Sequence, residues 1–467
     1  MVRRVFTTAL IVAAAAAPAA AAPIRGQTLM PGVVYSRQVQ FTSHGPVVLN
    51  VVSTPRPTGL YSVHAALSNN AIPGRERLTD MEKDVSGSTT VVGINGDFYS
   101  TRWGTPSSVL VRGGVLQKGT AAGRSAPGFD AGGGLHVDRV SLAGVWQGTG
   151  QYRPMGLNDP PGRSGTTLYT PAWGTATPAE TGTVTEIVLA PFPAALPNRI
   201  LSAPVVQAAR AGSQSIPPDG AVIVARGSQA QTLAAEAPAG STVNVRLVLT
   251  SSWLGVVEAV GGGPALVRNG RPVFRSNESF AAGQLFARTA RSAVGQTTDG
   301  RVLLVTVDGG HRGYSTGMTS FELALAMMRL GAANACALGT GAGATLAFDG
   351  KLLNRPSGRG ETAIADALLI GYDGVYVPQL DATVPSGKPI ALAYKVVRRS
   401  SVAATLTAPD GSTTTLDSGT RAPGTYPRSW TATAQGRWTF TVTATDDLGR
   451  RTSAERTFTV GPASRRG

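Results

Sequence analysis

The sequence predicts an α+β protein, with a large, mostly antiparallel mixed sheet and few helices, followed by a small all-β sandwich. At 467 residues the chain is too long for one ordinary core, so two folded domains are expected. Its apolar runs are short and punctuated by 58 glycines, which favours strands. Beyond residue 377, turn residues recur between alternating strands, as in a sandwich. We expect a larger domain over 33–376, the sandwich over 377–461 and a frayed tail over 462–467.

The first 22 residues have the pattern of an export signal. Arg3 and Arg4 form a charged end, an apolar stretch covers 5–17, and small residues at 19–22 suit cleavage. This stretch is shorter than the about 20 residues of a membrane helix, and no later segment is apolar enough to span a bilayer. An uncleaved anchor is the alternative. We expect a secreted or envelope-associated protein with no membrane span after signal removal.

Composition narrows the range of partners. A single cysteine, Cys336, excludes an internal disulfide, and its alanine-rich surroundings favour a small buried side chain over a nucleophile. The formal net charge of +15 favours anionic partners, such as a sugar phosphate or an anionic glycan, with plain solubility as the alternative. No basic helix, zinc knuckle or aromatic-interleaved basic strand indicates nucleic acid.

The stretch 89–99 is an apolar strand that ends in Asn95-Gly96-Asp97 and then places two aromatic residues. If the chain stays extended through Gly96, Asn95 and Asp97 project from one face, where an amide, a carboxylate and a ring suit a sugar. A hairpin turn at Asn95-Gly96 is the alternative. Residues 100–180 look loop-rich, and short alternating strands follow over 186–250.

Residues 301–355 organise the rest of the chain. Val302–Val307 indicates a strand buried on both faces, which stops at the turn Asp308-Gly309-Gly310. A helix is predicted from about Ser320 to Leu330, because Thr319 and Glu322 have the spacing of a capping box and a glycine follows the last residue.

A glycine-rich loop follows this helix and a second apolar run at 332–338. The loop, Gly339–Ala344, can present successive N–H groups to an anion, although a tight turn is the alternative. It lacks the lysine and following Ser or Thr of a nucleotide-binding loop, which argues against ATP or GTP. A hairpin turning at Asp349-Gly350 then leads to Asn354 and Arg355.

Metal and hydrolase signatures are weak. The chain has 4 histidines, and His311 alone lies near the candidate site, so a His-ligated metal cluster is not supported. An oxygen-ligated cation such as calcium stays open through Asp97 or Asp308, and no cofactor is otherwise assigned. No Gly-x-Ser-x-Gly elbow with a histidine partner supports a serine hydrolase.

Five motifs occur in one order along the chain: Ile94–Tyr99, Arg291–Gly295, Val307–Gly310, Ser315–Ala324 and Asn354–Pro356. Together they resemble the phosphodiester glycosidase domain, the family of the lysosomal uncovering enzyme and of many bacterial exopolysaccharide-associated proteins. The resemblance covers roughly residues 33–370. It implies hydrolysis of a sugar-1-phosphodiester. The carboxy-terminal sandwich resembles the immunoglobulin-like modules of bacterial exported enzymes.

The resemblance implies roles for individual residues. Asp97, Asp308 and Glu322 are the candidate catalytic carboxylates, with capping as the alternative role of Glu322. Arg291 and the loop N–H groups suit the stabilisation of phosphate charge. The candidate substrate-binding residues are Asn95, Arg291, Ser315, Thr340, Gly341, Asn354 and Arg355. We expect Asp308, Asn95, Arg291 and the loop 339–343 to converge on one anion-sized hollow.

The loop departs from the family at several positions. The family usually has Asn-Leu-Asp-Gly-Gly-Gly-Ser at this loop. In this chain the positions of the family's asparagine, aspartate and serine are occupied by Ala337, Gly339 and Gly343. Two functions therefore stay open. One is an exported glycosidase acting on a sugar-1-phosphodiester in an envelope or extracellular glycan. The other is a catalytically impaired sugar-phosphate-binding protein on the same fold. A structural surface protein with a vestigial site is a third reading.

Overall fold

The structure of the protein is a computed structural model that describes residues 26–119, 123–210, 212–273, 278–432 and 434–462. The predicted export signal at 1–22 and residues 463–467 of the predicted tail lie outside the described residues. Within these ranges, none of the helices has the length and apolar character of a membrane span.

Residues up to 139 form mainly short strands. Their elements are β1 (Gln27–Met30), β2 (Val33–Thr42), β3 (Gly45–Thr54), β4 (Tyr61–Leu67), α1 (Leu78–Val85), β5 (Thr90–Asn95), β6 (Leu110–Arg112), β7 (Val115–Lys118), β8 (Ser125–Asp130) and β9 (Leu135–Arg139). The next group, up to 249, comprises β10 (Leu142–Gln147), β11 (Arg153–Leu157), β12 (Thr166–Tyr169), β13 (Val184–Leu189), β14 (Ile200–Ala209), β15 (Ala221–Arg226), α2 (Ser228–Glu236) and β16 (Thr242–Leu249).

The central part holds the candidate site. Its elements are β17 (Val256–Ala259), β18 (Ala265–Arg268), β19 (Arg271–Pro272), α3 (Ala282–Phe286), β20 (Arg291–Thr297), β21 (Val302–Val307), α4 (Ser320–Arg329), β22 (Ala332–Ala337), β23 (Leu346–Phe348), β24 (Lys351–Leu352) and β25 (Asp366–Tyr372). The last strands are β26 (Thr383–Pro385), β27 (Pro389–Val396), β28 (Ser400–Thr407), β29 (Thr413–Arg421), β30 (Gly424–Thr431), β31 (Gly436–Asp446) and β32 (Arg451–Gly461). Single 3-10 turns cover Ser68–Asn70, Ser251–Trp253 and Gly341–Gly343.

An eight-stranded sheet, in the order β1-β2-β3-β21-β20-β22-β18-β19, carries the site at one end. Alternate residues of its strands point to opposite faces. On one face Val305 belongs to a core that α4 completes with Leu323 and Met327. On the other face Leu304 packs in a second core with Ile94 of the five-stranded sheet β24-β23-β5-β25-β4. β21 is therefore buried on both sides, as its apolar run predicts.

Residues 142–249 close a seven-stranded barrel, in the order β10-β11-β12-β15-β13-β14-β16. Closure depends on the first and last strands, since β10 pairs with β16 and Leu142 lies opposite Leu249. A further five-stranded sheet, β7-β6-β17-β8-β9, lies beside it and shares its hydrophobic core. The carboxy-terminal residues form a five-stranded sheet, β26-β32-β31-β28-β29, and the pair β27-β30, around a core that includes Tyr394 and Phe440.

The predicted fold class is wrong. Of the residues that the structure describes, 49% are strand and 9% are helix, and they form several sheets and a seven-stranded barrel. It is therefore a mostly β protein, rather than an α+β domain with one large sheet followed by an immunoglobulin-like sandwich. Alternating strands look alike in sequence whichever sheet they join, because pairing between distant strands leaves no local pattern. The stretch 100–180, which looks loop-rich, contains β6–β12, and its Gly113-Gly114 pair turns the β6–β7 hairpin at positive φ.

Several local predictions are confirmed. The strand at 302–307 and the helix at 320–329 form where expected, and Thr319 and Glu322 make the predicted capping box. The hairpin turn at Asp349-Gly350 has positive φ at both residues. Cys336 is buried and free. Short-range signals in the sequence are therefore reliable here, whereas the pairing of strands is not.

Candidate active site at the end of the central sheet

The main chains of the predicted site segments meet at one end of the central sheet. Gly341 donates its N–H to the carbonyl of Ala290 at 2.9 Å, and Gly339 donates to the carbonyl of Gly96 at 2.8 Å. A Cβ on Gly309 would lie 2.3 Å from the Ala290 nitrogen, so the turn after β21 also packs closely there. The structure therefore brings together the turn at Asp308, the end of β5 and the glycine loop.

Asp308 is the centre of a hydrogen-bonded cluster. Its Oδ1 accepts from Asn50 Nδ2 at 3.0 Å, from Asn354 Nδ2 at 3.3 Å and from the Arg355 main-chain N–H at 3.2 Å. Its Oδ2 accepts from the Tyr314 hydroxyl at 2.9 Å. The residue is 0% exposed, so its charge is stabilised by these four donors rather than by water.

Tyr314 connects this buried carboxylate to the surface. Arg37 Nη2 donates to the phenolic oxygen at 3.0 Å. The guanidinium carbons of Arg355 and Arg37 lie 4.9 Å and 5.3 Å from the ring centroid, within cation–π range. Burial, and then the neighbouring Asp308 carboxylate, raise the pKa of Tyr314. We call Asp308, Tyr314, Arg37 and Arg355 the Asp308 cluster.

Ser315 and Asn354 hold the main chain around this cluster. The Ser315 hydroxyl donates to the Asp308 carbonyl at 2.5 Å and accepts from the Val48 N–H at 3.0 Å. Asn354 also donates to the Ala344 carbonyl at 3.0 Å and accepts from the Leu346 N–H at 2.8 Å. Both predicted binding residues are buried, and their polar groups are used within the protein.

Asn95 is buried and turned toward the protein interior. Its Nδ2 donates to the Gly339 carbonyl at 3.1 Å, and its Oδ1 accepts from the Ser292 hydroxyl at 2.6 Å and the Thr345 N–H at 3.0 Å. The side chain therefore joins β5, β20 and the glycine loop. In this role it positions the loop and does not line an open hollow.

Asp97 lies beside a second carboxyl, Asp366. The Asp97 main-chain N–H donates to Asp366 Oδ1 at 2.8 Å. The Oδ2 atoms of both residues have no hydrogen-bond partner among the described residues, and Asp97 is 3% exposed. Burial raises the pKa of Asp97 to about 7, although Arg124 opposes the shift. Burial and the Asp97 charge likewise raise the pKa of Asp366.

Arg291 points away from the Asp308 cluster. Successive residues of a strand face opposite sides, so Ser292 reaches Asn95 while Arg291 lies on the α4 side of the sheet. Its guanidinium donates to the carbonyls of Met318, Gln284, Leu285 and Ala287. Burial lowers the pKa of Arg291 to about 10. The predicted hollow is therefore not formed by the Arg291 and Asn95 side chains.

Glu322 is engaged in the cap of α4. Its Oε2 accepts from the Thr319 N–H at 2.9 Å and the Thr319 hydroxyl at 3.0 Å, and its Oε1 pairs with Arg288. Burial alone would raise the pKa of Glu322, but the Thr319 donors and the Arg288 charge outweigh it and the pKa is lowered. The capping alternative accounts for the contacts of Oε2, and the ion pair with Arg288 accounts for Oε1.

The glycine loop has little room for a side chain at its first position. A Cβ on Gly339 would lie 2.8 Å from the Asp97 carbonyl oxygen and 3.1 Å from Asn95 Nδ2. Thr340 is half-buried and precedes the 3-10 turn, and Gly341 has φ +73°. The backbone here matches a loop built from residues without large side chains.

Sequence reasoning missed the residues Arg37, Asn50, Tyr314 and Asp366. Tyr314 directly precedes the predicted Ser315 and lies six positions after the turn carboxylate Asp308, and this closeness in sequence is a usable signal. Arg37 and Asn50 lie more than 250 positions before Asp308 along the chain, and only the registers of β2 with β3 and of β3 with β21 bring them near it. Asp366 opens an otherwise apolar strand, and a buried charge in that position is a signal for a paired group.

Within the described residues, no group of three or more His, Cys, Asp or Glu side chains could hold a metal ion. Asp97 has Asp366 beside it, and Asp308 is surrounded by amides and a phenol. Neither carboxylate has the set of anionic oxygens that a calcium site usually gathers.

A cavity of about 670 Å³ lies away from these residues, between β4 and α1. Its rim carries the acidic residues Glu76, Asp84, Glu258 and Asp373, and Arg112 faces Glu258 there. Such a rim repels a phosphodiester. The Asp308 cluster, with two arginines beside a phenol, has the opposite sign, so we assign the anion chemistry to the cluster rather than to the larger cavity.

Comparison with known proteins supports one family. Residues 200–371 match a family model described as phosphodiester glycosidase. That range contains Asp308, Tyr314 and Asn354, whereas Arg37, Asn95 and Asp97 precede it. The SPbeta prophage-derived uncharacterized protein YomE of Bacillus subtilis (strain 168) is 32% identical over 107 residues. The match spans 23% of this chain and 16% of that protein.

Two solved structures share the fold. A hypothetical protein from Synechocystis has a TM-score of 0.63 at 24% identity, over 75% of this chain and 64% of that one. A protein of Burkholderia pseudomallei K96243, described as a candidate exported protein, has a TM-score of 0.58 at 21% identity. That alignment covers 70% of this chain and 74% of the other.

Proposed function

We propose, from the match of residues 200–371 to the phosphodiester glycosidase family, that the protein hydrolyses a sugar-1-phosphodiester bond in an anionic envelope or extracellular glycan. The supporting observation is the Asp308 cluster, in which a buried carboxylate, a half-exposed phenol and two arginines lie at one end of the central sheet. The cluster offers a partly exposed phenol and two exposed cations to one bound phosphodiester, with the buried Asp308 carboxylate hydrogen-bonded to the phenol.

The chemistry of the bond suits such a cluster. A phosphate leaving group is stable as an anion, so strong proton donation to it is less necessary than in ordinary glycoside hydrolysis. The site must stabilise developing negative charge and direct an attacking group to the anomeric carbon. Guanidinium groups bind phosphate oxygens in a fork geometry, which suits Arg37 and Arg355 to the first task. Asp308 and Tyr314 are placed for the second.

Export and an anionic substrate are parts of the same proposal. The amino-terminal pattern predicts an export signal, and the related Burkholderia protein is described as a candidate exported protein. The formal net charge of +15 favours an anionic glycan by long-range attraction.

Turnover of a defined substrate tests this function. The methyl phosphodiester of N-acetyl-α-glucosamine-1-phosphate is incubated with the protein, and release of methyl phosphate is followed by ³¹P NMR. We expect turnover by the wild type, and a loss of about 10³-fold or more in Asp308→Asn. Arg37→Ala and Arg355→Ala each remove a charged phosphate contact, so we expect kcat/KM to fall about tenfold or more.

The exposed Arg271 on β19 is the matched control, because Arg271→Ala removes the same charge far from the cluster. We expect its kcat/KM to equal that of the wild type. Equal losses in Arg271→Ala and Arg37→Ala would contradict local phosphate binding. Absence of wild-type turnover on this substrate and on other sugar-1-phosphodiesters would contradict hydrolysis.

A second candidate is a sugar-phosphate-binding protein without turnover. The crowding around Gly339 favours it, because the position of the family's aspartate lacks both the carboxylate and the space for one. Under this function the wild type binds the methyl phosphodiester in calorimetry, Arg37→Ala weakens that binding, and methyl phosphate stays absent on prolonged incubation. Measured turnover that Asp308→Asn abolishes would contradict it.

A further inference from the structure

We propose that the Tyr314 hydroxyl is the nucleophile of the reaction, with Asp308 as its base. This inference rests on the proposed hydrolysis and adds the identity of the attacking atom. The groups that bond to the Asp308 carboxylate differ in their access to substrate. Asn50 and Asn354 are buried, and Arg355 contributes its main-chain N–H, whereas the Tyr314 side chain is half exposed.

The carboxylate is held in the position of a base. Three donors, from Asn50, Asn354 and Arg355, occupy Asp308 Oδ1, which fixes the rotation of the group. Oδ2 is thereby directed at the Tyr314 hydroxyl, 2.9 Å away. A nucleophile bonded to a base, with the base oriented by further groups, is the arrangement that covalent catalysis requires. Asp308 itself is 0% exposed and does not meet a substrate directly.

Arg37 stabilises the phenolate that forms when the proton leaves. Its Nη2 donates to the phenolic oxygen at 3.0 Å, and its charge lies 5.3 Å from the ring centroid. Arg355 is the second arginine of the cluster. Its guanidinium carbon lies 4.9 Å from the same ring centroid, and its side chain is exposed. Arg37 thus stabilises the attacking oxygen, and the exposed Arg355 can bind the phosphate that departs from the same carbon.

In the first step Tyr314 Oη attacks the anomeric carbon and its proton passes to Asp308 Oδ2. The bond between that carbon and the phosphate oxygen breaks, and the electron pair leaves with the phosphomonoester. In the second step water attacks the anomeric carbon, the bond to Tyr314 Oη breaks, and Asp308 returns its proton to Oη. Water gives one proton to solvent. Two displacements at one carbon retain its configuration.

Product stereochemistry and trapping test the inference. With the α-configured methyl phosphodiester, ¹H NMR within the first turnovers should show the α-anomer of the free sugar. With the methyl phosphodiester of 2-deoxy-2-fluoro-α-glucose-1-phosphate, the second step is slowed. Mass spectrometry should then find the added sugar on the tryptic peptide 313–329, which contains Tyr314.

Tyr314→Phe removes the attacking oxygen and keeps the ring that packs against the arginines. We expect kcat to fall at least about 10³-fold, with substrate binding in calorimetry changed less than threefold and an unchanged melting temperature. Tyr152→Phe, at an exposed tyrosine distant in sequence, is the control and should match the wild type.

The outcomes separate the two proposals. Wild-type turnover with a β-anomer as first product, or with Tyr314→Phe activity within tenfold of wild type, overturns Tyr314 as nucleophile and leaves hydrolysis intact. Sugar attached to a peptide other than 313–329 would likewise overturn Tyr314 as the nucleophile and leave hydrolysis intact. Absence of any wild-type turnover overturns both.

Discussion

The buried pair Asp97–Asp366 should make the protein less stable at neutral than at mildly acidic pH. Both carboxyls are buried, and each has an Oδ2 without a hydrogen-bond partner among the described residues. The folded state therefore retains protons that the unfolded chain releases. The perturbation that tests this is Asp97→Asn, which keeps the shape of the side chain and removes its ionisation.

The magnitude follows from the pKa of Asp97. This value is 3.8 for an ordinary aspartate and about 7 in the folded protein. Between these values the folded state binds more protons than the unfolded state, so the free energy of unfolding falls as pH rises and levels off above pH 7. Between pH 5 and pH 8, the ionisation of Asp97 lowers the free energy of unfolding by about 3 kcal/mol. Carboxyls with a lowered pKa, such as Asp417, are ionised in both states throughout this window.

The assay is urea unfolding of the wild type and variants at pH 5 and pH 8. We expect Asp97→Asn to reduce the wild-type fall by about 3 kcal/mol, and the double variant Asp97→Asn/Asp366→Asn to reduce it further. Asp219→Asn, at an exposed position, is the control and should keep the full fall. The reasoning is refuted if Asp97→Asn retains the wild-type fall, or if the wild type is more stable at pH 8 than at pH 5.

Two further predictions concern the loop and the helix cap. Gly339→Asp should lower the free energy of unfolding by about 1–3 kcal/mol, because the added Cβ would meet the Asp97 carbonyl. In Gly343→Ala the added Cβ makes only ordinary contacts, so the free energy of unfolding should fall by less than 1 kcal/mol. Urea unfolding midpoints measure both changes, and equal losses of stability would contradict the crowding at Gly339. Glu322→Ala should cost about 0.5–2 kcal/mol because it removes the carboxylate half of the capping box, which accepts from the Thr319 N–H and hydroxyl. It should leave kcat within about threefold of wild type, and a loss of about 10³-fold would restore Glu322 as a catalytic carboxylate.

The sequence could predict the features that residues close together in the chain determine. The strand before Asp308, the capping box of Thr319 and Glu322, and the Asp349-Gly350 turn all depend on side chains a few positions apart, and all three form as predicted. For the same reason the burial of Cys336 could be predicted from its apolar run.

The features that the sequence could not predict depend on which distant strands pair and in what register. Arg291 looks like a phosphate ligand, but the pairing of β20 places its guanidinium on the helix side, where four carbonyls bind it. Tyr314 and Arg37 come together through the tertiary fold, across a separation that no local pattern spans. The same dependence explains the wrong fold class, because closure of the barrel requires Leu142 to meet Leu249.

The chain enters and leaves the barrel at one place. Ser141 and Thr250, just outside its first and last strands, exchange main-chain and hydroxyl hydrogen bonds at 2.9 Å and 3.1 Å. Entry and exit are thus adjacent in space. Insertions or deletions in the exposed loops of residues 142–249 can therefore reshape this surface without changing the order of the strands that carry Asp308.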